Sequence, residues 1–149
     1  MNDRATPLET ALKILSRKRA SSREITTRLK KKGYTDDEIE SALKYLEESH
    51  YIDDTELIVD YIRLLVEKKY YGPERVVSFL REKGFDTKLV RDTLEQQYSE
   101  ETYLQNARSL IEKKFKGLKL DDIKTRQKII RSLSYKGYGW DLIERVLNR

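Results

Sequence analysis

The sequence contains no cysteine and only one histidine, His50. Without cysteine the chain can form no disulfide and offers no thiolate to a metal or a catalytic centre. His50 has no partner for nucleophilic catalysis or zinc binding, so we interpret it as a solvated turn residue. The acidic pairs Asp53-Asp54 and Asp121-Asp122 precede amphipathic runs, which favours helix capping over metal binding. We therefore expect no enzymatic activity, no metal and no cofactor.

Helix-breaking residues and long apolar runs are also scarce. Two prolines and six glycines leave long stretches without a breaker, and this favours helices. No apolar run is long enough to cross a bilayer, and the first residues lead into an amphipathic pattern without a signal peptide. The sequence predicts a cytoplasmic protein with no membrane partner.

Charge, by contrast, is abundant. Charged residues make up 38% of the chain, the same share as hydrophobic residues, which suits a thin helical body with a large surface. The net charge of +5 divides into +2 over residues 1–50, −2 over 51–98 and +5 over 99–149. Basic ends suit a polyanionic partner such as nucleic acid, although a chain this rich in charge also reaches such values by chance.

One sequence pattern occurs three times. The segments KKKGYTDDEIESAL, REKGFDTKLVRDTL and SYKGYGWDLIERVL align on their glycines, Gly33, Gly84 and Gly137. Each glycine is followed by an aromatic residue, and apolar residues lie four and eight positions before it and six and ten after it. These offsets are typical of two helices joined by a tight turn, with glycine in the left-handed conformation. The apolar residues four positions before each glycine are predicted to be buried equivalents: Leu29, Leu80 and Leu133.

Capping signals complete the helix prediction. The capping-box spacing, with a glutamate three residues later, occurs at Thr6, Ser21, Thr35 and Asp53, and other starts follow at Gly72-Pro73, Asp86 and Ser99. We predict helices over residues 7–19, 22–32, 36–48, 54–69, 73–83, 87–97, 100–115, 121–136 and 140–148. The fold class is all-α, with nine helices arranged as three tandem three-helix, helix-turn-helix-like repeats in an elongated, curved array. The repeats span residues 1–50, 51–98 and 99–149. A single compact nine-helix bundle is the competing architecture.

Basic clusters are the first candidates for contact with a partner. Most lie at predicted helix ends, where the helix dipole already favours cations: Arg17, Lys18, Arg19, Lys30, Lys31, Lys32, Lys113 and Lys114. Lys124, Lys128 and Arg131 instead form a stripe at positions i, i+4 and i+7 in the middle of a helix. Such a stripe suits phosphates or an acidic protein groove, and it also occurs on helix faces that are merely solvated.

A second kind of candidate combines two tyrosines with cations beside a predicted turn: Lys68, Lys69, Tyr70, Tyr71 and Arg75. This combination can stack on nucleic-acid bases or anchor a protein interface. The alternative is that Tyr70 packs into the neighbouring repeat.

Four spaced segments carry a resemblance to a known family: ALKILSRKRASSREITTRLKKKGY, YIDDTELIVDYI, KYYGPERVVSFLREKGF and KIIRSLSYKGYGWDLIERVL. In this order, and over essentially its whole length, the chain resembles the RecX family. One departure is Leu57, which stands in a stretch where the family usually has phenylalanine after the acidic turn. Leucine would keep the packing role, so the resemblance holds.

The resemblance implies a modulator of the RecA–DNA filament. Such proteins bind the filament, commonly within its helical groove, and reduce strand exchange, ATP hydrolysis and co-protease activity. We therefore expect a regulator, with inhibition as its expected direction, whose partner is the RecA filament, with single- or double-stranded DNA as a further partner. We expect a monomer, although no sequence pattern bears on the oligomeric state.

A stand-alone DNA-binding protein is the alternative, because pairs of helices joined by a glycine turn superficially suit a groove-reading motif. Its candidate recognition helices, residues 36–48, 87–97 and 140–148, are acidic or mixed in charge. Phosphates would repel such helices, and this disfavours their insertion into a DNA groove.

Overall fold

In the computed structural model, which describes residues 4–148, this part of the chain forms nine α-helices and no strand. The helices are α1 (Pro7–Leu15), α2 (Ser22–Lys31), α3 (Asp36–Glu48), α4 (Asp54–Arg63), α5 (Pro73–Glu82), α6 (Thr87–Gln97), α7 (Glu100–Lys114), α8 (Ile123–Tyr135) and α9 (Trp140–Leu147). α4 continues as a π-helical segment, Leu64–Lys68. The all-α prediction is confirmed.

Local capping explains where most of these helices begin. Five side chains accept a hydrogen bond from the backbone N–H three residues later: Thr6, Ser21, Thr35, Asp53 and Asp86. At α3 the Thr35 N–H also donates to the Glu38 carboxylate, which completes a capping box and lowers the pKa of Glu38. Ser99 precedes α7 as predicted, but its side chain makes no capping bond.

The three glycines of the repeated pattern occupy equivalent positions. They follow α2, α5 and α8, with φ angles of 89°, 94° and 96°: Gly33, Gly84 and Gly137. In each copy the N–H of the following aromatic residue donates to the carbonyl of the leucine four positions before the glycine, at 3.2, 3.0 and 3.0 Å. This bond is the long bond of the Schellman motif. The predicted left-handed helix ends are confirmed.

Two helix boundaries differ from the prediction by two residues or more, besides the change to π-helix in α4. α1 ends at Leu15 instead of residue 19, because the Ser16 hydroxyl donates to the Lys13 carbonyl and competes with the helix backbone. The basic residues 17–19 therefore lie in the turn after α1 and do not end a helix. α8 begins at Ile123, after a loop that ends at Asp122.

The apolar core is divided unequally. The helices pack mainly within three groups, α1–α3, α4–α6 and α7–α9, which we call the first, second and third units. The first unit encloses a core of its own, which contains Ile25, Leu29 and Leu46. The second and third units share one core, in which Leu80 and Leu133 are 0% and 1% exposed. The predicted burial of the three repeated leucines is confirmed.

The contact between the first and second units is polar. The backbone N–H and hydroxyl of Ser22 donate to the Asp54 carboxylate at 3.0 and 2.7 Å. The Arg19 guanidinium lies 2.5 Å from the Asp60 carboxylate, and hydrogen bonding to Asp60 raises the pKa of Arg19. Hydrogen bonds and an ion pair therefore replace a shared apolar core at this junction.

The overall shape is extended. The accessible surface is 10106 Å², whereas a compact monomer of this mass exposes roughly 8,000 Å². This difference supports the elongated arrangement over a single compact bundle. The exact repeat boundaries, 50/51 and 98/99, stay a prediction. Within residues 4–148, no helix combines the length and apolar character needed to span a bilayer.

Candidate partner-binding surface

The stripe predicted on α8 is exposed and longer than the sequence suggested. Lys124, Lys128 and Arg131 are all exposed, and Tyr135 follows Arg131 by four residues. At about 100° per residue these four positions lie within an arc of roughly 60° on the helix. The opposite face of α8 is buried against the shared core. Among residues 4–148, no carboxylate lies within 4.0 Å of the three cationic groups.

Arg75 joins this stripe to the start of α5. Its Nη1 donates to the Tyr135 carbonyl at 3.0 Å, and its guanidinium carbon lies 4.5 Å from the centroid of the Tyr135 ring. The same carbon lies 4.4 Å from the centroid of the Tyr71 ring. The guanidinium therefore stacks against two aromatic rings that are far apart in sequence. Two candidate groups that the sequence treated separately are brought together here.

The tyrosine pair is positioned differently from the surface role predicted for it. Tyr70 and Tyr71 are both half-buried. The Tyr70 carbonyl accepts a hydrogen bond from the Tyr138 hydroxyl at 2.8 Å, so the backbone of Tyr70 contacts the third unit. Burial raises the pKa of Tyr138 well above its usual range. The strongly exposed ring of this region is that of Tyr135, 73% of whose surface is accessible.

Tyr70 also adopts an uncommon backbone conformation. Its φ is 57°, in the left-handed region that non-glycine residues rarely occupy. Such a conformation costs on the order of 1–3 kcal/mol and persists only where the surroundings hold it. Here the hydrogen bond from Tyr138 holds its carbonyl, and the Lys113 ammonium lies 5.5 Å from its ring centroid. The turn that positions Tyr71 and Arg75 is therefore fixed by the third unit.

Backbone hydrogen bonds make the same junction rigid. The Gly72 N–H donates to the Lys136 carbonyl at 2.8 Å, and the Glu74 N–H donates to the Gly137 carbonyl at 3.1 Å. The Lys136 ammonium reaches back to the Lys69 carbonyl at 3.4 Å. The first turn of α5 and the last turn of α8 thus hold each other at the backbone.

We call the resulting surface the junction face; it consists of Arg75, Lys124, Lys128, Arg131, Tyr135 and Lys136. Sequence reasoning missed Tyr135 and Lys136. The available signal was that Tyr135 follows Lys124 by eleven residues, which is three helical turns. Further candidates flank this surface: Lys68, Lys69, Lys113 and Lys114 are exposed, and the Lys114 ammonium donates to the Ser132 hydroxyl at 3.3 Å.

Several members of the basic clusters of the first unit have structural partners. Lys18 pairs with Glu24 at 3.0 Å, and Lys30 pairs with Asp36 at 3.7 Å. Arg19 pairs with Asp60 of the second unit. Exposed ion pairs of this kind contribute little stability. The exposed side chains of Arg17, Lys31 and Lys32 help to line an open groove of 690 Å³ that involves α1 and α2.

Models of one protein family match both ends of the chain. The model described as the first three-helix domain of RecX matches residues 8–46, and the model of the third matches residues 101–147. A solved structure, that of RecX from Lactobacillus salivarius, superposes with a TM-score of 0.85. That alignment has 24% identity and covers 95% of this chain and 92% of the other, and it supports the same fold.

Relatives match over nearly the whole chain. The regulatory protein RecX of Vibrio parahaemolyticus is 33% identical over 142 residues, which cover 94% of this chain and 88% of that protein. The regulatory protein RecX of Legionella pneumophila is 31% identical over 140 residues, or 93% and 90% of the two chains. With this identity across all three units, the chain belongs to the RecX family of regulatory proteins.

Proposed function

We propose that this protein regulates the RecA recombinase by binding the RecA–DNA filament, and that it lowers strand exchange, ATP hydrolysis and co-protease activity. It acts in the cytoplasm as a monomer and catalyses no reaction of its own. The observation that carries the proposal is identity with RecX regulatory proteins across all three units. An elongated body with a large surface is compatible with lying along a filament.

The junction face is the surface through which we propose that the filament is bound. Its three α8 cations have no carboxylate within 4.0 Å among the described residues, so they are available to a polyanion. The backbone junction at the C-terminal end of α8 holds this helix against the start of α5, which limits the entropy that binding would cost. A filament offers both DNA phosphates and protein surface, so several units can bind at once and raise the affinity.

The second candidate function is DNA binding without RecA. The exposed cations Lys124, Lys128 and Arg131 favour it, because they would bind bare DNA as well. The charge of the helix-turn-helix pairs opposes it. α3, the second helix of the first pair, begins with Asp36, Asp37 and Glu38, and all three are exposed.

Co-sedimentation separates the two functions. The purified protein is spun with RecA alone, with single-stranded DNA alone and with the assembled filament, at two salt concentrations, and RecA ATP hydrolysis is measured in parallel. We expect much tighter binding to the filament than to bare DNA, together with reduced ATP hydrolysis. Equal binding to naked DNA and to the filament, with ATP hydrolysis unchanged, would instead establish the DNA-binding alternative.

A further inference from the structure

We propose that the junction face binds single-stranded nucleic acid directly, with the ring of Tyr135 stacking on an unpaired base. This inference rests on the proposed function in one respect, because the filament is taken to present the strand. The partner is defined by chemistry: a phosphate backbone whose bases have a free face.

The ring of Tyr135 has the properties of a stacking platform. It is 73% exposed, whereas Tyr71 beside it is half-buried. Arg75 lies over the Tyr135 ring at 4.5 Å and bonds to the Tyr135 backbone, so one face of the ring is covered and its position is fixed. A planar ring held in place loses little freedom when a base stacks on its other face.

Cations surround this ring along the path that a strand would follow. Arg131 lies one helical turn before Tyr135, and Lys128 and Lys124 continue the same line. Along the helix axis these residues are spaced by about 6, 4.5 and 6 Å. Lys136 follows Tyr135 in sequence, and its ammonium donates to the Lys69 carbonyl. Phosphates on both sides of a stacked base would therefore meet positive charge.

The surroundings of the ring favour a polyanion over a protein partner. An aromatic anchor of a protein interface usually lies in an apolar pocket that excludes water. Tyr135 instead has the Arg75 guanidinium over its ring, and cations lie one helical turn before it and one residue after it, at Arg131 and Lys136. A single strand satisfies these cations and offers a flat face to the ring, whereas the base faces of a duplex are hidden by stacking.

The chain carries its own reporter for this event. Trp140 is the only tryptophan in the sequence, is 58% exposed, and follows Tyr135 by five residues. The full chain is titrated with three ligands of equal length: an oligothymidylate, the same strand with abasic sites in place of thymines, and a duplex. We expect the oligothymidylate to change Trp140 emission and to bind at least about fivefold more tightly than the abasic strand.

Substitutions assign the effect to the ring. Tyr135→Ala should weaken oligothymidylate binding at least about fivefold with an unchanged salt dependence, and Tyr135→Phe should restore it, because a phenyl ring still stacks. The matched control is Tyr45→Ala, which removes a tyrosine that is 49% exposed on α3 and should leave affinity unchanged. Circular dichroism confirms that each variant is folded.

Two results would overturn the inference. They are equal affinity for the abasic strand and the oligothymidylate, or full affinity in Tyr135→Ala. Failure of the proposed function looks different: the oligothymidylate would bind through Tyr135, yet the protein would neither co-sediment with RecA filaments nor alter ATP hydrolysis. If Tyr135→Ala loses strand binding but retains filament binding, stacking is established and the filament is held by other contacts.

Discussion

A Cβ atom placed on Gly72 would lie 2.5 Å from the carbonyl carbon of Gly137. Gly72 precedes α5 and Gly137 follows α8, so this approach joins the second and third units backbone to backbone. No side chain fits between the two glycines. The hydrogen bonds across the junction, and the stacking of Arg75 on Tyr135, require this closeness.

We predict that Gly72→Ala lowers the free energy of unfolding by about 1–3 kcal/mol, because the added methyl group overpacks the junction. The matched control is Gly139→Ala, where a Cβ would meet nothing within 4 Å, and its loss should be smaller. Chemical denaturation of the two variants measures both effects. An equal loss of unfolding free energy in the two variants would show that the close approach of Gly72 to Gly137 is not the cause.

The divided core predicts two patterns of hydrogen exchange. Leu29→Ala and Leu80→Ala each leave a cavity at a fully buried position and should lower the free energy of unfolding by about 2–5 kcal/mol. Leu29→Ala should speed exchange in the first unit only, whereas Leu80→Ala should speed it in the second and third units together. Leu118→Ala is the control, since that side chain is 49% exposed in a loop. Uniformly faster exchange in Leu29→Ala would contradict the division.

The α8 stripe predicts a change in salt dependence. Replacing Lys124, Lys128 and Arg131 with alanine should weaken filament binding and make the slope of log affinity against log salt shallower by about 2–3, at 0.7–0.9 per phosphate contact. The melting temperature should hardly change, because all three side chains are exposed. A triple variant of the exposed residues Lys44, Arg81 and Lys88 gives the same loss of charge elsewhere. The same slope in both variants would mean that only net charge matters.

Arg75 should not be replaceable by lysine. Arg75→Ala should cost about 1–3 kcal/mol, since it removes a charged hydrogen bond and contacts with two aromatic rings. Arg75→Lys should recover only a small part of this, because an ammonium cannot stack flat against both rings. Thermal melts compare the two variants. Full recovery in Arg75→Lys would show that charge alone suffices.

Two buried tyrosines should respond oppositely to loss of the hydroxyl. The Tyr103 hydroxyl is buried with no hydrogen-bond partner in the described part of the chain, so Tyr103→Phe should stabilise the fold by on the order of 1 kcal/mol. Tyr138→Phe removes the bond to the Tyr70 carbonyl and should cost about 1 kcal/mol. Urea titration at neutral pH measures the stability of both variants. A loss of stability in Tyr103→Phe as well as in Tyr138→Phe would mean that the Tyr103 hydroxyl has a partner.

Tyr103 also predicts how stability depends on pH. Burial raises the pKa of Tyr103 to about 12 from 10.0. The folded state holds the Tyr103 proton more tightly than the unfolded chain does. The free energy of unfolding is therefore unaffected by this titration below pH 10, and it falls as the pH rises from 10 toward 12. Tyr103→Phe should therefore lose less stability than the parent between these pH values. Parallel pH profiles of unfolding would contradict this.

Local features of the fold were predictable because they depend on neighbouring residues. The glycine turn after Leu29 and the capping box of Thr35 with Glu38 both follow from sequence spacing. Non-local features were not. Arg75 and Tyr135 are sixty residues apart, and no local pattern indicates that one stacks on the other. The π-helical segment at Leu64–Lys68 likewise depends on packing, because its residues are compatible with an ordinary helix.

The candidate site was predicted in parts. Exposure of Lys124, Lys128 and Arg131 follows from helical periodicity, because apolar residues define the opposite face of α8. Exposure of Tyr135 does not, since a tyrosine near a helix end packs inward as readily as outward. Only the position of α5 across the junction determines which tyrosine remains accessible.

The π-helical segment at Leu64–Lys68 has a consequence for how homologous sequences can vary in length. A π turn accommodates one residue more than an α turn, so deleting one residue here would restore regular winding without rotating the chain that follows. Tyr71 would then keep its place beside Arg75. A deletion in the regular turns of α4 would instead rotate the following chain by about 100°. The loop between α7 and α8, with the exposed residues Leu118 and Leu120, has no such constraint. Single-residue differences in length should therefore be tolerated in that loop and at the π-helical segment, and be selected against in the regular turns of α4.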